Sequence, residues 1–178
     1  MRSMWLAVAG ILSMGVVEAA GPGYHVVKEI QIGGEGGWDY VIGDPADHRL
    51  YVSHATKIVV ADMESGEIVG EIADTPGVHG VALVPKWNHG FTTNRGDSTV
   101  TMFDLKTLAP IKKIEVAVGG LDGIMYDESI DRVILTNHSR PVGTAVAINT
   151  SIVYSAAKAV DNFVTGNNGS IKAPVTTP

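Results

Sequence analysis

Short apolar runs separated by turn residues recur along this chain with a period of about 40–45 residues. In the first copy an apolar run at 40–42 stops at the turn pair Asp44-Pro45. Runs at 50–53, 57–62 and 68–72 follow, and those at 50–53 and 68–72 alternate between apolar and polar residues. Alternation over so few residues predicts a half-buried β-strand. Four such strands joined by tight turns predict one antiparallel repeat unit.

Two further copies follow the first. The second begins at 80–84 and the third at 123–128. Pro45 and Pro85 occupy matching turns, and Asp62 and Asp104 end matching third strands, which argues against a β-sandwich whose hairpins are alike by coincidence. We therefore predict an all-β fold of four-stranded β-propeller blades, with boundaries at about 38–72, 78–114 and 120–149.

Three blades make an incomplete ring. Closed propellers typically have four to eight blades, so the region 21–149 is predicted to be a partial, open propeller. A leading segment at 24–32 is interpreted as a lone outer strand. We expect a truncated or frame-altered gene product, the alternative being a small protein that closes a ring by oligomerising. The bare apolar blade faces predict self-association.

The two ends of the chain differ from the repeats. Residues 1–20 combine Arg2, an uncharged apolar run and small residues near Ala19, the pattern of a secretory signal peptide. The apolar run is shorter than a membrane span needs, although an uncleaved anchor is the alternative. We therefore expect a secreted or periplasmic protein without a membrane span after cleavage. The tail at 150–178 diverges from the repeat, and its Gly, Asn, Thr and Pro content favours disorder.

Charge and composition exclude some partners. The formal net charge is −6 and Lys/Arg residues do not cluster, which argues against duplex nucleic acid as a partner. Single-stranded DNA is a weaker alternative, based on Trp38 and Trp87 as stacking groups. The chain has no Cys, so no disulfide stabilises it.

The repeat resembles a known family. The sequences 51–54 (YVSH), 91–94 (FTTN) and 134–137 (ILTN) stand where the YVTN β-propeller repeat family, of the YncE-like secreted kind, has its name-giving tetrapeptide. The resemblance covers about residues 24–149. It implies a seven-bladed β-propeller ring in full-length members, and a secreted or periplasmic location. It says little about activity, although related propellers are found beside redox cofactors.

Alignment of the copies gives two sets of candidate site residues. Asp39, His79 and Asp122 each precede an innermost strand, and Trp38 precedes the first of them. These residue types suit a divalent cation, although Asp residues in turns more often accept hydrogen bonds from nearby backbone. A second polar set, interpreted as structural, closes the second strand of each copy: His54, Asn94 and Asn137, with His138 beside the last.

The sequence carries no recognisable enzyme signature, including nucleophile elbow, zinc-protease, Walker or haem-attachment motifs. Our interpretation is a non-catalytic binding or scaffold module that contacts a protein or small molecule through its rim loops, including Trp38, Asp39, His79 and Asp122. The alternative is a fragment of a metal- or quinone-associated redox propeller. No cofactor is predicted from the residues, apart from a divalent metal at Asp39, His79 and Asp122 under that alternative.

Overall fold

The strands match the predicted repeat. The computed structural model describes residues 23–139 and 143–150, and the backbone of 160–163. The predicted signal peptide and most of the predicted tail lie outside these residues. The elements are β1 (Trp38–Asp44), β2 (Arg49–His54), β3 (Lys57–Asp62), β4 (Ile68–Ile72), β5 (Val78–Val84), the 3-10 turn η1 (Pro85–Trp87), β6 (His89–Asn94), β7 (Thr99–Asp104), β8 (Pro110–Glu115), β9 (Leu121–Asp127), β10 (Arg132–Asn137), β11 (Ala145–Asn149) and β12 (Val160–Phe163).

The strands form three antiparallel four-stranded sheets, which we call blades I (β1–β4), II (β5–β8) and III (β9–β12). Within each blade, strands that follow one another in sequence are hydrogen-bonded neighbours. The predicted all-β class and propeller-blade architecture are confirmed. The structure extends blade III past the expected end at 149, because β12 pairs antiparallel with β11 in what was interpreted as the divergent tail.

Matching Asp residues build the turns that join the third and fourth strands. In blade I the Asp62 carboxylate accepts hydrogen bonds from the backbone N–H groups of Glu64 (3.0 Å) and Ser65 (2.6 Å). In blade II the Asp104 carboxylate accepts them from Lys106 (2.9 Å) and Thr107 (2.8 Å). An Asp side chain favours turns because it can bond backbone two or three residues ahead. The periodic Asp is therefore a folding signal.

The innermost strands β1, β5 and β9 lie side by side, with β5 next to both of the others. Apolar side chains fill the space between neighbouring blades. One buried cluster joins blades I and II, and includes Tyr51, Ile58 and Phe103. A second joins blades II and III, and includes Phe91, Met102 and Leu135. The core therefore consists of two blade junctions, named here junction I–II and junction II–III.

The leading segment does not form the expected strand. Residues 23–34 have no β-structure, and the Lys28 ammonium instead donates to the Glu64 carbonyl in the β3–β4 turn. A strand is held by ladder hydrogen bonds to a partner strand, and within the described residues none pairs with 24–32. In the described part of the chain, no helix has the length and apolar character to cross a membrane.

Candidate functional site

The first predicted residue set lies at equivalent positions of the three innermost strands. Strand register pairs the first residue of each inner strand with the last residue of the second strand: Trp38 with His54, Val78 with Asn94, and Leu121 with Asn137. The next residues along the inner strands are Asp39, His79 and Asp122. The alignment of the copies therefore places these three side chains at one end of three adjacent strands.

Their side chains meet. The His79 Nδ1 atom lies within hydrogen-bond distance of the Asp39 carboxylate and 3.8 Å from the Asp122 carboxylate. His138 approaches Asp122 from the other side, with 3.8 Å between its Nδ1 and Oδ2. The side chains of Asp39, His79 and Asp122 are 39%, 22% and 29% exposed, so solvent and ligands reach all three. We call this group the rim cluster.

An apolar cavity lies beside the rim cluster. It has a volume of about 140 Å³, and residues from all three innermost strands line it: Tyr40, Val41, Ile42, Gly80, Val81 and Ile124. Tyr40 and Gly80 directly follow Asp39 and His79 in sequence, so polar rim and apolar wall are adjacent. Concave apolar surface next to a few convergent polar groups is the usual composition of a small-ligand site.

Asp39, His79 and Asp122 are brought together as an acid–imidazole–acid arrangement. Both carboxylates face the same nitrogen of His79. A neutral imidazole Nδ1 carries at most one proton, so it donates to only one carboxylate at a time. Within the described residues, no group of three or more His, Cys, Asp or Glu side chains has an arrangement that could hold a metal ion.

The hydroxyl groups one strand away fix the backbone of the rim cluster. The Ser53 hydroxyl of blade I donates to the His79 carbonyl of blade II. In the same way, the Thr93 hydroxyl of blade II donates to the Asp122 carbonyl of blade III at 2.5 Å, and it accepts from the Gly80 N–H at 3.0 Å. These bonds hold neighbouring inner strands in register, and so they position the rim side chains.

Two members of the second polar set hold turns. Asn94 is fully buried, donates to the hydroxyls of Thr99 (2.9 Å) and Thr101 (2.8 Å), and accepts from that of Thr92 (2.8 Å). The Asn137 amide donates to the Gly119 carbonyl (2.9 Å) and accepts from the Thr144 N–H (2.6 Å). Both side chains bond their own blade or its flanking loops. His138 differs, because it faces Asp122 in the rim cluster.

His54, the third member, occupies a different environment. Its imidazole is 3% exposed and stacks on the indole of Trp38, with ring centroids 4.9 Å apart and planes inclined by 7°. An ideal Cβ on Gly34 would lie 2.5 Å from His54 Cε1, so the glycine-rich segment packs directly against the ring. Within the described residues neither ring nitrogen has a hydrogen-bond partner. His54 therefore supports Trp38 by packing.

Sequence reasoning missed a second cluster, around Asp131 in the β9–β10 turn. Its carboxylate accepts hydrogen bonds from the Thr150 hydroxyl (2.7 Å), the Lys86 ammonium (3.0 Å), the Tyr126 hydroxyl (2.9 Å) and the Trp87 indole (3.3 Å). These bonds, led by the one from Thr150, hold the pKa of Asp131 well below its usual value. Desolvation and the bond to Asp131 raise the pKa of Tyr126 to about 12.

The Asp131 cluster joins blades II and III. Asp131 has a positive φ of 53°, as do its counterparts in the other first turns, His48 (53°) and Asn88 (57°). Asn, Asp and His are the residues other than Gly that are enriched at positive φ, so their occurrence at this aligned position is the sequence signal that could have identified it. Because Trp87 and Lys86 are both held here, with the ammonium 5.0 Å from the indole centroid, we assign Trp87 to blade packing.

Comparison with solved structures supports the fold. Hydrazine synthase from Kuenenia stuttgartiensis is similar to this chain with a TM-score of 0.61 and 15% identity, over 83% of this chain and 46% of that one. The WD40 repeats of RRP9 give 0.59 and 13% over 67% and 37%, and a chain of a nidogen/laminin complex gives 0.60 and 14% over 74% and 49%. This chain therefore spans less than half the length of each.

Sequence comparisons add no family. No family model matches the chain, and no curated protein matches it. The structural neighbours have β-propeller or WD40-type folds, and at these identities the likeness shows the fold alone. A propeller-type repeat protein is thus established, and the narrower YVTN resemblance stays a prediction.

Proposed function

We propose that this protein is a non-catalytic binding module that takes its ligand at the rim cluster, between Trp38, Asp39, His79 and Asp122. The observation that carries the proposal is the meeting of the Asp39, His79 and Asp122 side chains beside an apolar cavity built from three blades. Propeller-fold neighbours support a binding or scaffold role in general. The rim supplies polar recognition, and the cavity supplies apolar contact.

The chemistry of the rim favours a ligand that carries a basic group. Two partly exposed carboxylates share one imidazole nitrogen, so one carboxylate retains acceptor capacity for an ammonium or guanidinium group. Charge-assisted hydrogen bonds of this kind are among the strongest in proteins. Trp38 is 54% exposed and Tyr40 is 49% exposed, and aromatic faces attract cations. The acidic chain as a whole favours the same partners.

The test is calorimetric titration of the full chain with short end-capped peptides that contain one arginine or one lysine, compared with peptides that contain glutamine instead. We expect binding of the basic peptides only. D39N and D122N should each weaken it about 10–100-fold, the loss expected when a hydrogen bond to a charged group is removed. D47N is the matched control, since it removes the same charge from an exposed turn residue of blade I.

Two results would overturn this proposal: equal binding of glutamine peptides, or equal weakening by D47N and D39N. The redox alternative is separated by elemental analysis of the purified protein. A stoichiometric metal that is lost in H79A would support that alternative instead. The described residues give it no preformed ligand group.

We also propose that the protein is exported, on the basis of the signal-like pattern of residues 1–20. Sequencing the N-terminus of the protein expressed in a bacterial host tests this. Cleavage near Ala20, with the protein in the periplasm or medium, is the expected result. Uncleaved protein in the cytoplasm would contradict it.

A further inference from the structure

Both blade junctions use the same polar contact. The Ser53 hydroxyl of blade I donates to the His79 carbonyl of blade II, and the Thr93 hydroxyl of blade II donates to the Asp122 carbonyl of blade III. Each donor is the next-to-last residue of a second strand, and each acceptor is the second residue of the next blade's inner strand. Thr136 holds the same position in blade III, because it precedes Asn137 as Ser53 and Thr93 precede His54 and Asn94. Unlike Ser53 and Thr93, which are fully buried, Thr136 is exposed.

Both junctions also use the same apolar contact. In junction I–II, Ile42 of blade I and Val81 of blade II pack in one cluster. In junction II–III the equivalent residues, Ala82 and Ile124, do so. Ile42 and Ala82 are the fifth residues of their inner strands, and Val81 and Ile124 are the fourth residues of theirs. The fifth residue of the blade III inner strand is Met125, and the fourth residue of the blade I inner strand is Val41. They are 55% and 60% exposed.

The exposed edge of blade I is the complementary half of this contact. Trp38, at the start of β1, is 54% exposed, whereas the residues at the same position in the other inner strands, Val78 and Leu121, are 4% and 0% exposed. The Asp39 backbone stands where the His79 and Asp122 backbones accept their hydroxyl bonds. Blade III thus presents a donor face, and blade I presents an acceptor face, of the same junction.

We propose that a second copy of this chain docks head-to-tail, with blade III of one copy packed on blade I of the other. Thr136 then donates to the Asp39 carbonyl of the second copy, and Met125 packs on its Val41. This contact repeats those of the two junctions already described, position by position. Burial of exposed apolar side chains favours the association.

Two such contacts related by a two-fold axis close a ring. Two copies of the three blades that the structure describes give six blades, which lies within the range of closed propellers. The ring also extends the rim cluster, because Asp39 of each copy comes next to Asp122 and His138 of the other. The rim cluster of each copy, which already holds the carboxylates of Asp39 and Asp122, thereby gains the Asp39 carboxylate of the other copy as a third.

The test is the mass of the full chain in solution, by light scattering after size-exclusion chromatography. We expect a dimer of the 18.7 kDa chain, and monomers for each of the single variants V41D and M125K. The combined variant V41D/M125K should regain the dimer, since opposite charges then face each other across both contacts. I111D is the control: Ile111 is 46% exposed on β8, away from both faces.

Three outcomes would overturn the proposal. The first is a monomer at every concentration tested. The second is loss of the dimer in I111D to the same extent as in V41D. The third is failure of V41D/M125K to associate although circular dichroism shows both single variants folded. Titration of the monomeric M125K variant with the basic peptides keeps this result separate from the ligand proposal, because one complete rim cluster remains in each copy.

Discussion

The two blade junctions are alike near the propeller axis and differ at the periphery. Near the axis, each has an apolar cluster and one hydroxyl-to-carbonyl bond between blades. At the periphery, junction I–II is closed by the Arg49 guanidinium, which donates to the Leu105 carbonyl at 2.5 Å. Junction II–III is closed by the Asp131 carboxylate and its donors. The inner contacts follow the repeat, and the outer ones are particular to each pair of blades.

This difference separates what the fold requires from what each junction adds. A contact that recurs at equivalent positions is part of the repeat, because each blade packs on its neighbours in the same way. Arg49 and Asp131 lie in the same region of blades I and III but bond to unrelated partners. Equivalent substitutions at recurrent positions should therefore lower the stability of the two junctions by similar amounts. A substitution at an outer position should lower the stability of only the junction that contains it.

The largest expected effect comes from removing a buried aromatic ring from either junction. Phe91 and Phe103 are 1% and 0% exposed, and each belongs to one junction cluster. F91A and F103A should each lower the free energy of unfolding by about 3–5 kcal/mol, the usual cost of such a cavity. Urea denaturation measures it. If one variant costs less than about 1 kcal/mol, the two junctions are not equivalent.

A smaller loss is expected when an added methyl group separates the inner strands. An ideal Cβ on Gly80 would lie 2.6 Å from Ile124 Cγ2 and 3.3 Å from the Asp122 carbonyl oxygen. G80A should cost about 1–3 kcal/mol through overpacking, and it should also weaken ligand binding because it displaces the rim cluster. G43A is the matched control on β1, where the nearest atom would be 3.8 Å away. Equal thermal stability of G80A and G43A would contradict this account of junction II–III.

Much of the fold could be predicted from the sequence, because its signals are local and repeated. The Asp62 and Asp104 turns and the boundaries of blades I and II follow from alternation and turn residues within one copy. The alignment also identified Asp39, His79 and Asp122 as equivalent. Strand β12 escaped prediction because ten residues separate it from β11 and its sequence does not resemble the outer strands of the other blades.

The contacts between blades were harder to predict. Nothing in the sequence near Asp131 specifies that Lys86 and Trp87, more than 40 residues earlier, will reach it. Similarly, the packing of His54 under Trp38 depends on strand register, which a polar residue at a strand end does not reveal. Composition can nominate these residues, but their partners follow from the arrangement of the sheets.

The hydroxyl bonds near the axis test whether the inner contacts are equivalent. S53A removes a single bond to the His79 carbonyl and should cost about 1 kcal/mol. T93V removes the bond to Asp122 and also leaves the buried Gly80 N–H without its acceptor, so it should cost about 1–2 kcal/mol. Urea denaturation of both variants gives the order. A larger loss for S53A than for T93V would contradict it.

The smallest change at neutral pH, and the clearest difference between junctions, should come from Asp131. Its pKa in the folded state is depressed, so the stability it contributes is complete above the unfolded value of about 3.9 and is lost as pH falls toward the folded value. D131N should therefore lower the melting temperature at pH 7 and reduce the loss of stability between pH 5 and pH 2. Other Asp residues with depressed pKa values, including Asp62 and Asp104, retain the rest of that loss.

R49Q supplies the contrast at junction I–II. The guanidinium stays charged throughout this range, and the carbonyl it bonds does not titrate. The decrease in melting temperature caused by R49Q should consequently be the same at pH 7 and pH 3, whereas that caused by D131N should shrink. Melting curves of wild type, R49Q and D131N across pH 2–7 check both. If D131N follows wild type in parallel at all pH values, the Asp131 carboxylate does not carry the acid sensitivity of junction II–III.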